Sequence, residues 1–259
     1  MSEWVAVQKT KHKETRWVKH SNYIFTKTDA FVPVLLAELA ELLPYYSLAF
    51  VAREQGFQLV ALLSLNPGTN YYVTGEGKWR VAYVPSAYRS HPFMLAPKNA
   101  NEYILCLDEA SEFITLDSAS DEGQKLFNEQ GELTPPTAEI LNFLQQCQAN
   151  RQVTQQAVNL LAEHKLIVPW PIEQSQQDTT LLVKGIYQVD LTALKKLSGD
   201  ALTQLSQHSA LELAYAQVHS KPRLKNFEPL AKLHQQENSV QDLDLDQLFG
   251  EEGEDLLRF

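Results

Sequence analysis

Residues 79–113 read WRVAYVPSAYRSHPFMLAPKNANEYILCLDEASEF, and the fold class turns on how this stretch alternates. Phe93–Ala96 and Tyr103–Leu107 are apolar and aromatic runs of strand length, and Trp79–Val84 before them has the same character. Pro85 and Pro92 bracket SAYRSH. Each proline fixes its own φ and biases the residue before it away from helix, so the bracketed residues are expected to be irregular. Strand then follows strand with no helix between, which favours an antiparallel or mixed sheet over a doubly wound one.

Towards the amino end the pattern continues. Tyr71–Val73 is expected to pair with Trp79–Val84 around Gly75-Glu76-Gly77, and Asn66-Pro67-Gly68 has the chemistry of a turn. Tyr45–Ala52 and Phe57–Leu65 read as a hairpin joined by Arg53–Gly56. Val34, Leu35, Leu39, Leu42 and Leu43 recur at helical spacing, predicting a helix that begins near Pro33, is capped by Thr28 or Asp29, and stops at Pro44. Trp4–Val7 and Arg16–Val18 read as short strands flanking the basic turn KTKHKET.

Towards the carboxyl end the period changes. Asp117–Leu133 reads as a polar loop. After Pro135-Pro136, the residues Ile140, Leu141, Leu144, Cys147, Val153, Ala157, Val158 and Leu161 keep a helical repeat, with a kink allowed near Ala149–Arg151. Val168–Pro171 stops it, Leu181–Val189 reads as one or two strands, and helices follow at Gly199–Gln207 and Ala210–His219, with a weaker run at Leu224–Leu233. The expected organisation is a single α+β domain over residues 1–234, sheet-rich to 116 and helix-rich from 135, followed by a disordered acidic tail over 235–259.

At 259 residues with 44% hydrophobic and 10% aromatic content, the chain has enough apolar material for a packed core. A net charge of −10 argues against a general binder of nucleic acid or anionic membrane. The charge is uneven: Lys9, Lys11, Lys13, Arg16, Lys19 and Lys27 crowd the start, and acids crowd the end. No apolar run approaches the ~20 residues a membrane span needs. No leader is read at the start, so a cytoplasmic protein is expected. Cys106 and Cys147 have apolar neighbours and are expected to be free thiols in a reducing compartment.

Five stretches carry a family resemblance: LLSLNPGTNYYV (62–73), KWRVAYVPSAYRSHPFMLA (78–96), ILCLDEAS (104–111), LFNEQGELTPP (126–136) and SGDALTQLSQHSALELAYAQVHS (198–220). In order and spacing the chain resembles the bacterial SapC family from about His12 to about Leu224. It departs from the family's pattern at Ser209, where the family often has Gly, and near His91, where a basic residue or Tyr is frequent. The resemblance implies a link to surface-layer and outer-membrane receptor loci, and no particular reaction. A peptide-transporter permease shares the family's name, but its membrane spans have no counterpart here.

The leading site candidates are Tyr88, Arg89 and His91, because a proline-bracketed loop can present a guanidinium fork and an imidazole together to a carboxylate or phosphate. The structural alternative is that Arg89 pairs with an acid such as Asp108 and holds the loop. Asp108 ends a strand on the same face as Cys106, where it can act as a base or ligand, or cap the turn at Ala110-Ser111. A metal site would need His12, His20, His91, Asp108 and Glu109 to assemble through folding, the leading set being His91 with Asp108 or His12, and no HxxxH, CxxC or HxD spacing is present. GxSxG, a P-loop and GxGxxG are absent. In the tail VQDLDLDQLFGEEGEDLLRF, Leu245, Leu248, Phe249 and Phe259 offer apolar contacts among acids, suited to a groove with a basic rim.

The function expected from the sequence is that of a soluble accessory protein binding a protein or peptide. The alternatives are a metal-dependent modifying enzyme using His91 with Asp108 or His12, and a surface-layer structural protein. Neither a cofactor nor an oligomeric state is implied.

Overall fold

The computed structural model describes residues 2–99, 102–116, 122–176 and 179–241. In chain order the elements are β1 (Trp4–Ala6), β2 (Arg16–Trp17), β3 (Phe31–Pro33), α1 (Leu39–Leu42), β4 (Ser47–Arg53), β5 (Gly56–Leu62), α2 (Ser86–Arg89), β6 (Phe93–Pro97), β7 (Tyr103–Asp108), β8 (Ile114–Thr115) and β9 (Gln124–Lys125). There follow α3 (Pro135–Glu163), β10 (Ile167–Pro169), β11 (Ile172–Gln176), β12 (Thr179–Val183), β13 (Ile186–Val189), α4 (Leu191–Leu194), α5 (Gly199–Gln207), α6 (Ala210–Ser220) and α7 (Phe227–Gln241). This is an α+β fold of antiparallel sheets followed by helices.

Two of the sheets position the candidate site. The larger has the order β10-β13-β4-β5-β3, and the smaller β1-β7-β6. The hairpin read at Arg53–Gly56 closes as expected, with Arg53 opposite Gly56 and Ser47 opposite Leu62. Along β4, Ser47 through Val51 are all buried, as in a strand covered on both faces. α3 and α6 pack against this sheet. The fully buried Gln217 of α6 accepts from the Val189 N–H and donates to the Leu48 carbonyl, which satisfies its own amide and ties α6 to β4 and β13. A second, smaller core gathers Trp17, Phe93, Leu107, Ile114, Leu126 and Phe127 beneath the smaller sheet.

Several expectations are corrected. The helix expected from Pro33 to Leu43 is instead a strand, a 3-10 turn over Leu36–Glu38 and the single turn α1. Phe31–Pro33 pairs with β5 and leaves the helically spaced Leu39 and Leu42 to reach the core from one turn. The strand pair expected around Gly75–Gly77 reduces to one bridge, Val73 to Trp79. Aromatic stacking of Tyr72 on Tyr46 and Trp79 replaces the ladder. The bracketed SAYRSH forms the one-turn α2 rather than irregular chain. The polar stretch before α3 contributes β9, which pairs with β2.

Through Ala149–Arg151, where the repeat allows a kink, α3 continues as one helix of 29 residues. No Gly or Pro interrupts it there, and the polar side chains bond within the helix, Asn150 to the Gln146 carbonyl and Thr154 to the Asn150 carbonyl. The tail boundary set at Gln235 falls inside α7, which continues to Gln241 and is held by Glu237 on Arg80 at 2.6 Å.

Candidate functional site

α3 lies against β5 of the larger sheet and β6 of the smaller one. Between them is a cleft of about 370 Å³. One wall is Pro33, Val34 and Leu35 at the end of β3, and the opposite wall is Phe93, Met94 and Leu95 of β6. Leu144, Cys147, Gln148, Arg151, Thr154 and Gln155 of α3 form a third side, and their spacing of three, four and seven puts them on one helical face. Ser86–Tyr88, Ser90 and His91 close the end, with Trp4 and Phe25 also lining it.

The loop owes its shape to a buried carboxylate that the sequence did not single out. Glu38 accepts from the Leu35 N–H (3.0 Å), the Ser86 N–H (2.6 Å), the Ser86 hydroxyl (2.8 Å) and the Tyr83 hydroxyl (2.9 Å). Arg89 belongs to this arrangement. Its Nε donates to the Val84 carbonyl, its guanidinium lies 4.6 Å above the Tyr83 ring, and its Nη2 is 3.7 Å from Glu38. Arg89 thus pairs with Glu38 and not with Asp108, and it is not among the residues lining the cleft.

Tyr88 does line the cleft, but its hydroxyl is committed to Asp29 at 2.8 Å. Burial raises both groups, so Asp29 resists ionisation more than an ordinary carboxyl and the phenol stays protonated. His91 also lines the cleft. Its ring stacks on Phe25 at 3.8 Å, its Nε2 bonds the Ser111 hydroxyl, and its carbonyl accepts from His20 Nδ1. Burial, then the neighbouring His20, pushes its imidazole down to about 4, against a weaker pull from Asp108 and Glu112. His91 lines the cleft while Arg89 is turned to Val84, Tyr83 and Glu38 outside its lining, so the expected Arg–His fork does not assemble there.

Asp108 is turned to the backbone. Its Oδ1 accepts from the Glu3 N–H at 2.6 Å and the Ala110 N–H at 3.3 Å, the turn-capping role. His12 is fully buried elsewhere: Gln8 N–H donates to its Nδ1, and its Nε2 donates to Glu109, which also pairs with Lys11. With Nδ1 occupied as an acceptor, His12 has no free lone pair for a ligand. His91 and Asp108 therefore both brace the turn at Ala110-Ser111, while His12 is tied to Gln8 and Glu109. Among the described residues, no group of three or more His, Cys, Asp and Glu side chains is placed to hold a metal ion. Leu245, Leu248, Phe249 and Phe259 lie outside the described residues.

What sequence reading missed is the α3 face. Apart from the neutral His91, Arg151 is the sole ionisable cation lining the cleft, and among the described residues no carboxylate pairs with it; its Nη1 donates to Gln148. Gln148 in turn donates to Tyr103, and Gln155 to the Phe57 carbonyl, so α3 is clamped to both sheets by its polar residues. Cys147 faces the cleft beside Ser86, and burial raises its thiol. The available signal was a run of polar residues (Gln148, Arg151, Thr154, Gln155) at the spacing of a packed face.

These features define an α+β protein with a ligand-sized cleft of mixed apolar and polar lining at the junction of two antiparallel sheets, with one guanidinium at its side. A family model, SapC, matches residues 7–227, and the chain belongs to the SapC family. The match includes the cleft residues from Phe25 to Gln155. No curated protein and no solved structure matches the chain.

Proposed function

We propose that this SapC protein acts by binding, taking a segment of a protein or peptide partner into the cleft between β6, β3 and α3. The observation that carries the reading is the cleft's composition: aromatic and aliphatic walls, a row of amides, and Arg151 without an acid among the described residues. Concave apolar sites with a few placed polar groups are the usual form of ligand sites. Tyr88 and His91 contribute as surfaces, while Arg89 and Asp108 act as supports for the loop. We rank the metal-enzyme alternative lower, because His91 bonds Ser111, Asp108 the Glu3 and Ala110 N–H groups, and His12 Glu109. With a net charge of −10, nucleic acid is not the partner we propose. Two free thiols, Cys106 and Cys147, fit a reducing compartment, and no helix among the described residues is long and apolar enough to cross a membrane.

The test is selection of a displayed random-peptide library on the immobilised full chain, with counter-selection on Gln148→Trp, whose indole fills the cleft. Clones that bind the wild type at least tenfold better than Gln148→Trp support the reading. Binding that ignores the filled cleft, or no binding at all, overturns it.

A further inference from the structure

One wall of the cleft, Phe93–Leu95, belongs to a strand at the edge of its sheet. In the β6–β7 pairing, Asp108 N–H donates to the Pro92 carbonyl and Lys98 N–H to the Glu102 carbonyl, which places the even-numbered residues of β6 in the ladder. The backbone groups of Phe93, Leu95 and Pro97 then face away from β7, and β6 is the last strand of its sheet. The Phe93 groups are used locally, its N–H by the Ser90 carbonyl and its carbonyl by the Ser90 hydroxyl. Pro97 has no N–H to offer. Open among the described residues are the N–H and carbonyl of Leu95, with the Pro97 carbonyl beside them. Met94 and Leu95 point to opposite faces of the sheet, yet both line the cleft, as they do where a cleft runs along a strand's edge.

We infer, building on the binding role already proposed, that the partner segment enters the cleft extended and adds as a short strand to β6, exchanging backbone hydrogen bonds with Leu95. A carboxylate on that segment pairs with Arg151. The backbone pair at Leu95 calls for a partner with its own peptide groups, and strand addition is how an open edge meets that need. Charge complementarity selects an acidic residue, because Arg151 is the lining's formal charge and lacks an acid among the described residues. Prolines at outward-facing positions, Pro97 here and Pro33 on the opposing edge β3, leave the sheet ladders intact while shortening both edges. They confine addition to one register, centred on Leu95. The source is a separate partner protein.

The test uses cleft-binding peptides from the library selection on the full chain, by fluorescence anisotropy. Leu95→Pro removes the outward N–H without touching the β7 ladder and is expected to weaken binding tenfold or more, whereas Leu95→Ala keeps the N–H and stays within threefold. Arg151→Met is expected to weaken acid-bearing peptides five- to twentyfold and acid-free ones little. Independently of whether Leu95→Pro folds, N-methylation scanned along the peptide is expected to abolish binding at positions of one parity only. Peptides that need the open cleft but tolerate Leu95→Pro and every N-methyl group overturn strand addition while the cleft reading stands. Failure of any peptide to distinguish wild type from Gln148→Trp overturns both. If a synthetic peptide of residues 240–259 binds as tightly as the selected ones, the occupant is this chain's own carboxyl end, and a separate partner is overturned.

Discussion

Replacing Glu38 tests whether one buried carboxylate sets the cleft's end wall. Glu38 is 5% exposed and accepts four hydrogen bonds, two of them from backbone N–H groups with no other acceptor at hand. In Glu38→Ala both N–H groups, Leu35 and Ser86, lose their acceptor, at about 1–3 kcal/mol each. The lost packing and the stranded hydroxyls add to this, and the Arg89 contact, long at 3.7 Å with the Arg89 side chain 39% exposed, subtracts little. The expected loss is about 3–5 kcal/mol.

Glu38→Gln discriminates more sharply. Each carboxylate oxygen receives one backbone N–H and one hydroxyl: Oε1 from Ser86 N–H and Tyr83, Oε2 from Leu35 N–H and the Ser86 hydroxyl. Whichever way the amide turns, its NH2 can donate to the hydroxyl but confronts one N–H. One donor is orphaned, so the loss is about 2 kcal/mol. At about 2–4 °C per kcal/mol for a chain of this size, thermal midpoints fall by about 4–8 °C for Gln and by more for Ala. Urea unfolding followed by far-UV circular dichroism measures both. Equal losses for Gln and Ala, or losses under about 0.5 kcal/mol for either, refute the two-donor account.

Further outcomes are expected at other residues. His91 is held well below its ordinary 6.5, at about 4, so it folds neutral. The unfolded chain takes up the proton first, and stability present above pH 6.5 is lost as pH falls towards 4, by about 1–2 kcal/mol once partial exposure is discounted. His91→Phe should flatten the urea midpoint over that window, leaving the slope from His20, which burial also lowers. Ser209 stands at φ 55 with no side-chain cap bond, so Ser209→Gly should stabilise by about 0.5–1 kcal/mol in the same assay. Glu237, lowered chiefly by its bond to Arg80, loses that bond as pH falls through its depressed value; Glu237→Gln should raise hydrogen exchange across α7 at pH 7 and leave α3 unchanged.

The elements legible in the sequence were those whose signal is local. α5 ends where the periodicity ends, and α6 begins at Ala210 as expected. The β4–β5 and β6–β7 hairpins arise from apolar runs bounded by turn chemistry. The segment from Phe31 to Leu43 failed because its leucine spacing suits a helix and also a strand leading into a single turn. Pairing with β5 decides between them, and pairing is not local. The same applies at Gly75–Gly77, where ring stacking among Tyr46, Tyr72 and Trp79 outweighs strand propensity.

For the site, the difficulty has a different cause. Tyr88, Arg89, His91 and Asp108 drew notice because they are chemically capable, and in the fold most of that capability is spent internally, on Asp29, Glu38, Ser111 and two backbone N–H groups. Arg89 had several acids to choose from, and the one it takes lies 51 positions earlier in the chain, on a segment read as helix. Among the described residues, the groups with capacity to spare look ordinary in a sequence: an arginine on a long helix that bonds an amide but no carboxylate, and the peptide group of a leucine whose openness depends on the parity of a strand pairing. A folded chain satisfies its buried polar groups first. What remains for a partner is therefore found by asking which cleft-lining groups keep bonding capacity to spare among the described residues. On that criterion Leu95 and Arg151, which line the same cleft, outrank every residue that chemical capability alone put forward.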